Sequence, residues 1–397
     1  MIKLLFISWD SATSNYLESL FFPILKGLQE KGEVQAHVIQ FSWAGKNEVK
    51  RIAELAKNLE ISYTHHKVKR KPFAGLGALE AVYRGVFFIK QYIEKNGVEM
   101  VMPRSTMPAT MVNRLWDWLK KKEVQVVFDA DGFPLQERVD FAGMDKNGLY
   151  YKLLHGEELK MLQRADRILV RSKAAKIQHS KELGQENAPN IFLVANGRDA
   201  SHFKLDLENR EAIRKTLELR EEDLLWVYTG TIGPQYRLDD MLALFQKHWK
   251  KHPRSKFVIL SISKHVDLKA FSKEFQKAII FKNVAFTEIP HYLSAADLGL
   301  SLRQAAPSIS GLAPIKTGEY LMMGLPVIVS PGVGDTDQLL KDKDFAFFWE
   351  SGKEESLELW LQKVKQLDPS GIRQFAQTHF SLGKSLGDYG KALALEG

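Results

Sequence analysis

At 397 residues the chain is longer than one ordinary hydrophobic core supports, and two domains are the economical reading. Apolar residues make up 45% and charged residues 26%, which excludes a disordered chain, and the lack of cysteine excludes disulfides and thiolate metal sites. A net charge of +8 favours anionic partners such as phosphorylated ligands, lipid headgroups or nucleic acid.

Met1 to Trp9 is a short apolar run without the basic start and long apolar stretch of a signal peptide, and reads as a first buried strand. No segment approaches the ~20 apolar residues of a membrane-spanning helix. The expectation is a cytoplasmic protein, at most peripheral at the inner face of the membrane. Strand-length apolar runs follow at Ile2–Ser8, Val34–Gln40, Glu99–Met102, Val124–Asp129, Arg167–Val170 and Ile191–Val194. Between them lie amphipathic helical patterns at Leu17–Lys31, Asn47–Asn58, Ala78–Lys95 and Leu149–Arg164. This alternation predicts an α/β architecture with parallel sheets covered by helices on both faces.

Asn196-Gly197 is a turn dipeptide, and beyond it the alternation restarts with strands at Leu224–Tyr228, Lys256–Ser261, Val284–Phe286, Leu298–Leu302 and Pro326–Val329. The division predicted is an N-terminal domain over 1–195, a C-terminal domain over 196–375, and a helical segment over 376–397 that packs back on the first domain. Doubly wound sheets take ligands beyond the carboxyl ends of their strands, so residues that follow strands are the informative ones.

Pro314-Ile315-Lys316-Thr317-Gly318-Glu319-Tyr320 follows a loop rich in small residues, among them Ser310, Gly311 and Ala313, and opens a helix closed by Gly324-Leu325-Pro326. The free N–H groups and dipole of a helix amino end favour a phosphate there, and Lys316 in the first turn adds a charge. Glu319, one turn on, shares its face and can accept both hydroxyls of a ribose. A solvated Lys316 and a Glu319 that merely favours the positive helix end are the plain alternatives.

The run His291 to Val329, with Tyr292-Leu293-Ser294-Ala295-Ala296-Asp297, Pro314-Ile315-Lys316, Glu319-Tyr320-Leu321 and Gly324-Leu325-Pro326, resembles the donor half of family-four retaining glycosyltransferases. Arg104-Ser105, Val126-Val127-Phe128-Asp129, Ala165-Asp166-Arg167, Asn196-Gly197 and Tyr228-Thr229-Gly230-Thr231-Ile232-Gly233 occur in that family's order. The resemblance implies a GT-B fold, in which two Rossmann-like doubly wound domains face a cleft. It also implies a UDP- or GDP-linked sugar as co-substrate, retained anomeric configuration, and no metal or other cofactor.

Carried over by position, Lys316 and Arg237 bear the leaving diphosphate and Glu319 the ribose. Thr231, Gly233, Ser310, Gly311, Leu312, Ala313 and Thr317 line the donor, and Ser11, Ser14 and Arg104 the acceptor side. The chain departs from the pattern where many members carry a Glu and it has Gly311. It departs again at Thr231, where an Arg is common, and at Tyr236-Arg237 in place of Lys-Gly. The acceptor implied is a glycan or a lipid-linked molecule, in cell-surface polysaccharide synthesis. A non-catalytic nucleotide- or glycan-binding relative is the alternative that Gly311 suggests.

Asp129-Ala130-Asp131-Gly132 places two carboxylates just past a buried strand. Three readings stand: a divalent-cation site, the nucleophile and acid of a haloacid-dehalogenase-type phosphohydrolase, or a turn. In the glycosyltransferase reading Asp129 or Asp131 contacts sugar or acceptor. His65-His66-Lys67-Val68-Lys69-Arg70-Lys71, with Tyr83, Phe87 and Phe88 beyond, reads either as docking of residues 65–88 onto an anionic membrane or as a solvated strand end and a core helix. Nucleic-acid binding has no accompanying motif. No phosphate-loop motif, complete dinucleotide fingerprint or H-E-x-x-H spacing occurs.

Overall fold

The computed structural model describes residues 1–12, 15–71, 73–262 and 266–395. They form two compact units: Met1–Ala195 with Ser310–Leu312 and Ser385–Gly397, and Asn196–Ile309 with Ala313–Lys384.

The first unit is built on strands β1 (Ile2–Asp10), β2 (Val34–Ser42), β3 (Ser62–Lys67), β4 (Met100–Pro103), β5 (Gln125–Asp131), β6 (Arg167–Val170) and β7 (Ile191–Leu193). They pair in the order β3-β2-β1-β4-β5-β6-β7, every pair parallel. The second sheet uses β8 (Leu225–Thr229), β9 (Lys256–Leu260), β10 (Ile279–Lys282), β11 (Leu298–Ser301), β12 (Val327–Val329) and β13 (Ala346–Phe348). Its order, β10-β9-β8-β11-β12-β13, is again wholly parallel. In each sheet the strand order thus reverses beside its first strand, and such a switch point is where a doubly wound sheet leaves a ligand crevice.

The central strands read as continuous apolar runs because helices cover both their faces. Leu4 to Ile7 and Leu225 to Val227 have no exposed surface. The edge strands differ. β3 (SYTHHK) and β13 (AFF) have no buried residue, and neither is anticipated above, since half-covered edges need no apolar run. One expectation is corrected: the strand placed at Val284–Phe286 lies instead at Ile279–Lys282, and Phe286–Glu288 is a single 3-10 turn. The Ile-Ile-Phe run pairs with β9 along its length, whereas Ala285 caps the turn that follows.

The helices that cover the sheets include α1 (Ala74–Asn96), α2 (Thr106–Asn113), α3 (Leu149–Arg164), α4 (Leu238–Lys251), α5 (Ile315–Met322), α6 (Glu354–Leu361) and α7 (Leu382–Leu393). α1 ends at Gly97, whose φ of 63° is the left-handed cap glycine supplies cheaply. α5 starts at Ile315 after Pro314 and stops before Gly324, with φ 77°. Among the described residues no helix is long and apolar enough to cross a membrane.

Candidate functional site

The switch point of the second sheet lies between β8 and β11. β8 ends at Thr229-Gly230, and Gly230 has φ 129°, a region side-chain-bearing residues rarely adopt. A Cβ at Gly230 would collide with Cε and Nζ of Lys316. The glycine is therefore what lets the first turn of α5 deliver its amine over the end of the strand.

Lys316 Nζ donates to Tyr228 Oη at 2.9 Å, and Tyr228 Oη donates onward to the Thr231 carbonyl at 2.6 Å. The same amine stands 4.4 Å from the centroid of the Tyr228 ring and 4.0 Å from that of Tyr236. The Arg303 guanidinium, two residues past β11, lies 4.3 Å from the Tyr236 ring. Burial, and then the charge of Arg303, hold the Lys316 amine well below the usual lysine range against the opposing pull of Glu319. An amine and a guanidinium are thus held on aromatic faces at a helix amino end, a combination that favours a phosphate anion, which in turn favours the ammonium form of Lys316.

Glu319 is buried one turn further along α5. Its Oε1 lies 2.9 Å from Nε of Arg198. Arg198 is held by its backbone, donating to the Phe380 carbonyl at 2.7 Å and accepting from Leu382 N–H at 2.8 Å. Burial pushes the Glu319 carboxyl above the ordinary carboxylate range, with Arg198 and Lys316 acting the other way. Thr317 Oγ1 meets Ser301 Oγ at 3.1 Å in the interior, and Tyr320 Oη accepts from Thr229 N–H at 2.8 Å. These two bonds fix α5 to β11 and β8.

The structure therefore brings Lys316, Glu319 and Gly230 together with Tyr228, Tyr236, Arg303 and Arg198. Arg237 pairs with Asp240 at 2.7 Å at the start of α4. Thr231 is exposed and enters through its carbonyl. The Gly233 carbonyl accepts from Tyr236 N–H at 2.9 Å and so closes a turn. Ala313 belongs to this unit, whereas Ser310, Gly311 and Leu312 belong to the first. Sequence reasoning missed Arg303 and Arg198, whose only signals are their positions just past β11 and just past Asn196-Gly197.

In the first unit, Asp129 has no exposed surface and both its oxygens accept from Arg171 Nη2, at 2.9 and 2.7 Å. Arg171 also donates to Tyr389 Oη at 3.1 Å. Burial raises the Asp129 carboxyl while Arg171 opposes. A phosphohydrolase nucleophile must reach a phosphorus atom, and a carboxylate so enclosed does not. Asp131 sits at a register shift of β5 against β6, with φ 63°. Its side chain is 30% exposed and pairs with Arg104, whose guanidinium lies 5.2 Å from the Tyr16 ring.

Ser11 is exposed immediately after β1, and Ser14 lies outside the described residues. Ser172 Oγ donates to the Ser310 carbonyl at 2.7 Å. A Cβ at Gly311 would come within 2.6 Å of the Phe133 ring, so Phe133 occupies the space an acidic side chain would need.

Residues 209–371 match the family model of glycosyl transferases group 1. The chain is 25% identical over 187 residues to TuaH of Bacillus subtilis (strain 168), a protein named as a glycosyltransferase of teichuronic acid biosynthesis. That match covers 45% of this chain and 43% of TuaH, so the chain spans under half the length of that relative. In fold it is similar to Anabaena Alr3699/HepE in complex with UDP-glucose, with a TM-score of 0.72, 13% identity, and coverage of 99% of this chain and 100% of that one. It is likewise similar to sucrose-phosphate synthase from Thermosynechococcus elongatus, with a TM-score of 0.67, 14% identity and coverage of 99% and 98%. Residues 209–371 thus resemble the group 1 glycosyl transferases, in a chain whose two Rossmann-like sheets have the GT-B architecture.

Proposed function

We propose that the second unit binds a nucleoside-diphosphate sugar, UDP- or GDP-linked, and that the chain transfers the sugar with retained anomeric configuration to a glycan or lipid-linked acceptor of cell-surface polysaccharide synthesis. The observation that carries this reading is Lys316 on Tyr228 and Tyr236 beside Arg303, at the amino end of α5 and the switch point of its sheet. Negative charge develops on the departing diphosphate, and cations already placed there stabilise it without reorganising. Lys316 and Arg303 take that role without an obligatory metal, and Arg237 joins them by releasing Asp240. Glu319, oriented by Arg198, accepts the ribose hydroxyls. The uridine nucleotide sugar bound by HepE and the name of TuaH support the choice of donor and pathway.

On the acceptor side the reading uses Asp131, which ends β5, and Arg104 and Ser11, which follow β4 and β1. Docking of the first unit at the cytoplasmic face of an anionic membrane belongs to the same proposal. Leu76, Leu79, Tyr83 and Phe87 are spaced as one face of α1 and are exposed by 63, 52, 63 and 57%. Lys69, Arg70, Lys71 and Arg84 flank that stripe and are exposed too, so its charge complements anionic headgroups. Gly77 lets α1 lie against the basic segment, because a Cβ there would strike the Lys69 carbonyl.

A panel of nucleotides and nucleotide sugars, read by thermal shift and by release of nucleoside diphosphate with and without chelator, tests the reading. UDP or GDP should stabilise the protein, and Glu319→Ala should abolish the shift. No stabilisation by any nucleoside diphosphate would refute it; stabilisation without turnover would make the chain a binding protein.

A further inference from the structure

His248 and His252 stand four residues apart at the carboxyl end of α4, and Glu358 faces them from α6. The spacing His248-Trp249-Lys250-Lys251-His252 is the i, i+4 pair that puts two imidazoles on one helix face. One ligand atom from each of the three residues lies within 4.8 Å of the others. We propose that His248, His252 and Glu358 form a binding site for a divalent transition-metal cation of the zinc class, which ties the end of α4 to α6.

His248 is the pre-set member. It is only 4% exposed, and its ring is packed against Trp226 with centroids 5.5 Å apart. One ring nitrogen, Nε2, is 3.1 Å from Ser255 Oγ, whereas Nδ1 is buried and, among the described residues, has no hydrogen-bond partner. A buried polar atom without a partner calls for an explanation, and an ion is one of the few available. An imidazole with one nitrogen on a hydroxyl and the other unpartnered is arranged as metal-bound histidines are, since the outer hydrogen bond fixes tautomer and ring orientation.

The other two ligands supply the adjustment. Tetrahedral zinc with bonds of about 2.0–2.1 Å holds its ligand atoms about 3.4 Å apart, so the side chains must close by little more than an ångström. His252 is exposed and Glu358 partly so, and both can turn without disturbing the core. Among the described residues the Glu358 carboxylate has loose ion-pair partners, Lys251 at 3.7 Å and His252 at 3.7 Å. His248 and Glu358 line a cavity of about 550 Å³ whose three lysines, Lys247, Lys250 and Lys251, face three glutamates, Glu354, Glu355 and Glu358. The charges offset one another, so a cation entering the cavity meets no net repulsion.

Two imidazoles and one carboxylate suit zinc, cobalt or nickel, and offer too few oxygens for magnesium or calcium. His248 lies about 15 Å along the helix axis from Leu238 at the start of α4. The metal therefore braces the far end of the helix that follows Tyr236 and Arg237, and takes no part in sugar transfer.

Calorimetric titration of the untagged, chelator-stripped full chain with Zn2+ tests this, with Co2+ as a spectroscopic probe. One equivalent should bind, with visible d–d absorption for Co2+ and no competition from Mg2+. His252→Ala and Glu358→Gln should each weaken Zn2+ binding by at least about tenfold while circular dichroism stays unchanged, and Lys251→Met should tighten it. Absence of saturable Zn2+ binding, or unaltered affinity in either ligand variant, overturns the proposal. Nucleotide binding by the same variants should be intact, which separates this outcome from failure of the donor site.

Discussion

Arg198 Nε lies 2.9 Å from Glu319 Oε1, and the two side chains are 3% and 8% exposed. Removing one member of such a pair leaves a charge in the interior, which costs ~3–5 kcal/mol. Arg198→Met should lower unfolding stability by that order in urea titration. Arg198→Met with Glu319→Leu should recover much of the loss, since an apolar pair can replace a buried ion pair, yet nucleotide binding should stay lost. Recovery of both together would show that Glu319 has no ligand to hold.

Gly230→Ala separates the amine from the fold. Its φ of 129° strains any L side chain, at a cost of ~1–3 kcal/mol. The added methyl also displaces Lys316 Nζ from Tyr228 Oη. Affinity for nucleoside diphosphate should fall about tenfold, a loss of ~1.4 kcal/mol. In a Lys316→Met background the same substitution should leave affinity nearly unchanged, because the two act through one contact. Additive losses in the double mutant would contradict that coupling.

The pH dependence of binding follows from Lys316. Burial lowers its pKa in the free protein, whereas a diphosphate beside it favours the ammonium form and raises the pKa. Between the two values the complex holds more protons than its components, so binding takes up protons and weakens as pH rises through that window. Calorimetry in buffers of different ionisation enthalpy should show uptake of up to one proton, absent in Lys316→Met. Identical heats in all buffers would mean that the amine is already charged. Lys316→Met should also reduce turnover by ~10²–10³, the usual loss when a charge-stabilising group is removed.

Membrane docking is tested by flotation with vesicles. Wild type should associate with phosphatidylglycerol vesicles and weakly with phosphatidylcholine ones. Replacing Lys69, Arg70 and Lys71 by Gln removes about 1 kcal/mol each near an anionic surface, and should reduce association by about a hundredfold. Leu76→Gln with Phe87→Gln should reduce it further at unchanged nucleotide affinity. Equal partitioning of wild type onto both vesicle types would dispose of the electrostatic half of the idea.

Legibility in the sequence tracked burial. β1, β5 and β8 announce themselves because covering both faces demands continuous apolar residues, while β3 and β13 sit at sheet edges and carry no such demand. Lys316 and Glu319 were readable because a helix start, a small-residue loop and one-turn spacing mark them locally. Arg198 reaches Glu319 from 121 residues away in the chain and Arg303 approaches Lys316 from 13, through the fold alone, and no local pattern encodes that. The role of Gly311 was likewise invisible until Phe133 was seen to fill the space beside it.

The hydrogen bond between Arg171 and Tyr389 joins residues 218 positions apart, and it has a bearing on biosynthesis. The first sheet is translated early, but Arg171 in its interior meets the Tyr389 hydroxyl only after the second unit has been synthesised. Until then the nascent unit carries a gap where Tyr389, Ala392 and Leu393 are buried, and exposed apolar surface of that kind invites chaperone capture. Translation of the second unit thus precedes synthesis of the stretch from Ser385 to Leu393 that completes the first.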